Sequence, residues 1–237
     1  EIYTDSGDVS VVLSPSVIAN LAGAFRYMRD YPYICWEQVL TKGVMAAHYK
    51  ELKKWLPDSL VWDGAEKLPQ STLDTAANYQ APNGGMTYFV ATDDRADPYL
   101  SAYTAIAFSW LKKDGYTIPA DVEKKLHDYL LNFLRQDAVP DFYQEGMTST
   151  VRAVALAALA REGKIAADDV QRYAPHLKNM SLFGKAHYLQ AALMFENTKA
   201  SAKETVDMIF AAGNETGGKF MFSETLDDGY LRLLATP

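Results

Sequence analysis

Proline opens and glycine closes one amphipathic segment after another along this chain, and that punctuation limits the fold more than any other feature. Ser14-Pro15-Ser16 starts a segment to about Asp30 with Val17, Leu21, Ala24, Phe25 and Met28 on one face, and Pro32 stops it. The spacing predicts a second helix from about Cys35 to Trp55, ended by Pro57, and a weaker one over Gly64 to Gln80. Asp97-Pro98 places an N-cap ahead of a first-turn proline for a helix closing at Gly115. Pro119 opens the next, through Leu126 and Leu134. Alanine-rich Thr148–Arg161 closes at Gly163. Short Ala166–Tyr173, then Ser181–Glu196 and Ser201–Ala212, complete the series. Ala81-Pro82-Asn83-Gly84-Gly85 reads as loop, Met86–Val90 as a short extended piece, and Gly217–Phe222 as strand or loop. About nine or ten helices on short loops, with little or no strand, predict an all-α fold. Consecutive antiparallel pairs with similar apolar faces favour an α/α toroid over a flat solenoid, because no fixed repeat period is present.

Composition narrows the function. Nearly half of the 237 residues are apolar, enough for a sizeable core, and no apolar run approaches bilayer length. A net charge of −7 with acids and bases interspersed argues against nucleic acid as a partner. The chain starts at Glu1 without methionine or secretion signal, and ends at Pro237 soon after a helical start at Asp228. The expectation is a single domain over 1–237, excised from a larger chain, with room for a last helix outside it. One cysteine excludes a disulfide framework or a thiolate zinc cluster. His48, His127, His176 and His187 are scattered without metal-ligand spacing, so neither metal nor cofactor is expected.

That one cysteine stands in Tyr31-Pro32-Tyr33-Ile34-Cys35-Trp36-Glu37-Gln38. Proline upstream and a helix start downstream put Cys35 near a helix N-terminus, where the dipole favours a thiolate leaving group. Gln38 lies about one turn on, on the same side. Its side-chain carbonyl is within reach of the thiol, and displacement of ammonia would leave an internal thioester. Such a bond needs cover from water, and Tyr31, Tyr33 and Trp36 are suited to give it, although each reads equally well as ordinary packing. Glu37 reads either as a first-turn carboxylate complementing the dipole or as a proton-handling group.

The Tyr-Pro-Tyr-x-Cys-x-Glu-Gln pattern resembles the thioester motif of bacterial α2-macroglobulins, relatives of the animal α2-macroglobulins and of complement C3 and C4. Ala81-Pro82-Asn83-Gly84-Gly85-Met86 and Ala96-Asp97-Pro98-Tyr99-Leu100-Ser101-Ala102-Tyr103 are similar to the family's glycine-rich segment and the helix start after it. The resemblance implies a complement thioester-domain-like α/α toroid within a large, broad-spectrum protease inhibitor. It implies a Cys35–Gln38 thioester that captures attacking proteases covalently through their amines, once per molecule and without turnover. It also implies neighbouring macroglobulin-like domains as partners, and the bacterial periplasm or cell envelope as location. Ile34 and Trp36 depart from the family pattern, which usually has glycine and a smaller residue there. A β-branched Ile34 would resist any positive φ needed for ring closure. The stretch Asp141–Met147 holds no histidine to redirect the acyl group to hydroxyls, and Tyr143 there reads as site-lining or, more simply, as core.

Two other readings follow from the residues. Asp93-Asp94-Arg95-Ala96-Asp97 could supply carboxylates to an α/α-toroid enzyme acting on glycans or isoprenoids, against the plainer reading of a solvated loop with Asp97 as N-cap. The third is a protein-interaction toroid with an inactive thioester.

Overall fold

The computed structural model describes residues 21–136 and 139–224. Within them lie α1 (Leu21–Asp30), α2 (Trp36–Leu52), α3 (Leu68–Asp74), α4 (Pro98–Lys113), α5 (Ala120–Arg135), α6 (Glu145–Arg161), α7 (Ala167–Gln171), α8 (Leu182–Ala192) and α9 (Lys199–Ala211). Strands β1 (Gly213–Thr216) and β2 (Lys219–Phe222) follow. Helix α2 packs on α4, α4 on α6 and α6 on α8, while α3 backs α2, α5 spans α4 and α6, and α9 backs α8. This alternation of inner and outer helices is an α/α toroid.

Helix α6 is the hub. It is buried without interruption from Ser149 to Ala160, as a helix enclosed on all sides must be. Its alanines let neighbours come close. At Gly184 on α8 an added Cβ would lie 2.9 Å from Thr150 Oγ1, so α8 meets α6 nearly backbone to side-chain root. The same Thr150 hydroxyl accepts the N–H of Ser181, the N-cap of α8, at 3.0 Å. Thr150 lies in the second turn of α6, so the two inner helices begin at the same end. Buried Arg152 lays its guanidinium over the rings of Phe133 and Tyr173, at 5.6 and 5.5 Å, and donates to the Gln136 carbonyl. A smaller cluster of Phe25, Tyr49, Leu56, Leu60 and Trp62 closes the α1–α2 side.

Several boundaries differ from the sequence reading. The predicted helix over Gly64–Gln80 is broken into α3 and a 3-10 turn, Ala76–Tyr79. The break falls at Thr75, whose hydroxyl bonds back to the Thr72 carbonyl at 2.8 Å and competes with helix continuation. Helix α6 begins at Glu145, three residues before Thr148. Of Met86–Val90 only Met86 pairs, in an isolated bridge to Gln80. Gly217–Phe222 belongs to an antiparallel hairpin in which Gly217 and Gly218 both take positive φ, as a two-residue primed turn requires. The predicted start at Ser14 and the helical start at Asp228 lie outside the described residues.

Candidate functional site

Cys35 is the N-cap of α2, with φ −65° and ψ 157°. Its carbonyl accepts the N–H groups of Gln38 at 3.0 Å and Val39 at 2.9 Å. Trp36 is therefore the first helical residue and Gln38 the third. In that pair of positions an ordinary helix carries a capping box, Ser or Thr at the cap and Glu or Gln at the third residue, with the two side chains reaching toward each other's backbone. Here a thiol replaces the hydroxyl, and it makes no capping hydrogen bond. Starting the helix thus sets a thiol at the cap and a side-chain amide at the third helical position, one turn apart.

The Gln38 amide is poorly served as an amide. Its Nε2 donates to the Tyr31 hydroxyl at a long 3.5 Å, and its Oε1 is buried without a hydrogen-bond partner. An orphaned buried acceptor of this kind costs about 1–3 kcal/mol. A thioester at the same place would shed the nitrogen as ammonia and keep an oxygen that is a weaker acceptor, reducing that cost.

The candidate shielding residues divide. The Tyr31 ring packs against Tyr27 and Tyr33, with centroids 5.0 and 5.5 Å apart, and its hydroxyl lies over Gln38. Tyr33 and Ile34 are 66% and 76% exposed, an apolar rim beside Cys35. Trp36 points the other way. It is fully buried, stacked on Tyr79 at 5.1 Å, and its Nε1 donates to Thr104 Oγ1 of α4 at 2.9 Å. Its backbone N–H is taken by the Tyr88 carbonyl at 2.8 Å. The indole fastens the first turn of α2 to α4. Tyr143 is buried just ahead of α6, edge-on to Phe142 at 5.0 Å. Among the described residues positive φ occurs only at glycines, so the chain enters the Cys35 turn past Ile34 without the strain that a β-branched residue would resist.

Glu37 is half-buried, and burial pushes its carboxyl up from the usual range. Around it stand groups that sequence reasoning did not assign to the site. Thr41 donates to the Glu37 carbonyl at 2.7 Å, and Tyr103 bonds the same hydroxyl at 2.7 Å. Because the Thr41 proton is committed to that carbonyl, the Tyr103 phenol is the donor. Burial pushes the Tyr99 phenol up to about 12, with Tyr103 and Glu37 adding to the shift, and raises Tyr103 as well. The sequence signal for these two is their spacing of four on α4, which puts both rings on one face.

Asp97 caps α4 by accepting the Leu100 N–H at 2.8 Å, and Asp93 is engaged by Arg95 through both side chain and backbone. Asp94 contributes its backbone carbonyl to Asn83 Nδ2 and to the Ala96 N–H. The Asp93 and Asp97 carboxylates serve the loop. The Asn83-Gly84-Gly85 turn needs its glycines. Gly84 has φ +92° with the Lys125 carbonyl 2.4 Å from where a Cβ would be, and a Cβ on Gly85 would fall 2.4 Å from that of Ala96. His127 is buried, and burial also lowers half-buried His187 to about 4. No cluster of three metal-ligating side chains occurs among the described residues, and none of their helices is long and apolar enough to cross a membrane.

No family model matches the chain. It is 25% identical over 136 residues, 56% of its length, to an α2-macroglobulin of Rickettsia conorii, of which it spans 7%. Its fold matches native α2-macroglobulin from Escherichia coli, in a structure running from domain MG7 to the C-terminus. The TM-score is 0.70 and the identity 19%, over 80% of this chain and 30% of that one. It also matches Salmonella α2-macroglobulin reacted with methylamine, with TM-score 0.70 and 18% identity, over 84% of this chain and 13% of that one. The chain is similar in sequence to an α2-macroglobulin and shares the fold of part of two others, and it spans only a small share of those much longer proteins.

Proposed function

We propose that this domain carries an internal Cys35–Gln38 thioester and acts as the covalent trap of an α2-macroglobulin-like protease inhibitor in the bacterial envelope, the periplasm being the compartment. One observation carries the reading. Cys35 and Gln38 occupy the N-cap and third position of α2, and Gln38 Oε1 is buried with no partner. The reaction is a single acyl transfer. A lysine amine of an attacking protease adds to Gln38 Cδ, the C–S bond breaks, and sulfur leaves as the Cys35 thiolate at a helix N-terminus, which favours negative charge. Glu37, its carboxyl pKa raised by burial, accepts and passes on the amine proton. Tyr31 covers the Gln38 carbonyl. The exposed Tyr33 and Ile34 offer apolar surface to a neighbouring macroglobulin-like domain of the parent chain. The reaction of the Salmonella relative with methylamine supports amine capture here.

The test is intact mass with thiol titration on freshly purified protein, before and after methylamine. The proposal expects a mass one ammonia below the sequence with no titratable thiol, then gain of methylamine and one free thiol. Full mass with Cys35 titrating from the start, in the full-length parent as well, would leave an interaction domain without the trap.

A further inference from the structure

Resting on the thioester reading, we infer that Lys42 is an internal acyl acceptor. When the thioester is unmasked and no external amine arrives, Lys42 closes an amide with Gln38 and retires the trap.

Lys42 follows Gln38 by four residues on α2, so the two share a face, with Cβ atoms about 5–6 Å apart. Helical side chains lean toward the N-terminus, which carries the lysine stem back over the turn that holds Gln38. The ammonium already points that way. Lys42 Nζ donates to the Tyr31 carbonyl at 3.4 Å, while the Tyr31 hydroxyl receives Gln38 Nε2 at 3.5 Å. One residue therefore touches both the acyl group and the candidate nucleophile. Both contacts are at the long limit of hydrogen bonding and are readily given up.

Lys42 is not tied down elsewhere. Lys112, Lys124, Lys199 and Lys203 each sit in an ion pair with a carboxylate within 3 Å, whereas among the described residues Lys42 has only its bond to Tyr31. Asp30, whose carboxyl is held below its usual range chiefly by Arg29, makes no ion pair with Lys42. On its outer side Lys42 lines an open cleft of about 600 Å³ with Arg29, Trp62 and Asp63, so the stem has room to swing. Displacing the Tyr31 segment would uncover the thioester and release the amine in one movement.

The step balances without another reagent. The neutral Nζ attacks Gln38 Cδ, the N–C bond forms, the C–S bond breaks, and sulfur departs with the electron pair. The proton shed by Nζ ends on that sulfur. The product is a lactam spanning one turn of α2 plus a free Cys35 thiol, at the same mass as the thioester. A tethered amine competes at an effective concentration on the order of millimolar or above, so the trap would have a limited open time set by its own chain.

The experiment uses the full-length parent, activated by a sub-stoichiometric elastase-type protease in amine-free buffer, alkylated and digested with trypsin. The expected product is a peptide covering residues 30–50 that is uncleaved after Lys42, lighter by one ammonia and alkylated at Cys35. It should show no backbone fragments between residues 38 and 42. Lys42→Arg keeps the charge and helix and should abolish this species, leaving peptide with glutamate at 38. If wild type yields only that hydrolysed peptide, as the variant does, the internal acceptor is refuted while the thioester stands. An intact Gln38 amide with alkylated Cys35 before activation refutes both.

Discussion

Replacing Trp36 with phenylalanine separates the two roles its aromatic ring could have beside Cys35. The indole is fully buried, stacked on Tyr79, and hydrogen-bonded to Thr104 on α4. Phenylalanine keeps most of the stacking but removes the bond, worth about 0.5–1.5 kcal/mol. It also leaves a void of about 40 Å³, worth roughly 1 kcal/mol at the usual cavity coefficient. The expected loss is about 2 kcal/mol. Thr104→Val strands the indole N–H in the core and should cost about 1–3 kcal/mol. The two changes break one bond, so the double variant should cost less than the sum of the singles by about 1 kcal/mol. Urea unfolding, with midpoints and slopes compared across the four proteins, measures this. The spontaneous appearance of the Cys35 thiol at pH 7 is followed alongside. As a tether, the indole makes both quantities move together, because a loosened first turn displaces Cys35 from Gln38. Additive singles, or a Trp36→Phe protein of unchanged stability that nevertheless loses its thioester faster, would refute the tether and restore Trp36 as a cover.

Other consequences are as specific. Gly85→Ala forces a Cβ into Ala96 and the Tyr129 ring and should cost about 1–3 kcal/mol by overpacking, read as a drop in melting temperature. Burial raises the Glu37 pKa, so the folded state binds that proton more tightly than the unfolded chain and the ionised carboxylate costs stability at neutral pH. Glu37→Gln should therefore melt higher than wild type at pH 7, with the gap closing as pH falls to about 4, while its aminolysis by methylamine slows. His187 has the opposite pH sense. With a folded pKa of about 4 against 6.5, it makes the fold lose up to about 3 kcal/mol as pH drops through that window. An NMR titration placing His187 near 6.5 would contradict its burial against Phe183. Asp94→Ala should leave the thioester and the fold untouched, since only the Asp94 backbone is used, and any glycan- or isoprenoid-processing activity lost with it would revive the enzyme reading.

What could be read from the sequence was what is local. Pro98 behind Asp97, and Cys35 three before Gln38, fix a helix start through the backbone of a few neighbours, and both starts are where the pattern put them. The break at Thr75 escaped because a single hydroxyl bonding three residues back decides it against an otherwise helical pattern. The parts of the site that escaped depend on α4 lying against α2. Thr104 meets Trp36 across 68 positions, and Tyr103 meets Thr41 across 62. Nothing in the first eight residues around Cys35 says which aromatic turns inward. Trp36 does because the first helical position of α2 faces α4, whereas Tyr33 is still outside the helix and faces solvent.

The same start of α2 bears on how the proposed thioester would open. Four N–H groups head any helix without an internal partner. In α2 the Trp36 donor is taken by Tyr88, and those of Gln38 and Val39 by the Cys35 carbonyl. Among the described residues the Glu37 N–H alone of the four has no acceptor. An N-cap side chain bonds to the second or third N–H of its helix, and Glu37 is the second. While sulfur is acylated it is a poor acceptor and this donor gains little. As the C–S bond of the proposed thioester lengthened, charge would build on sulfur at the cap position that this N–H and the helix dipole serve. That interaction strengthens only along the reaction, so it lowers the barrier to aminolysis without tightening the resting state. On the proposed reading, the capping-box positions would set thiol and amide one turn apart for the thioester, and the Glu37 N–H would be the hydrogen bond kept for its opening.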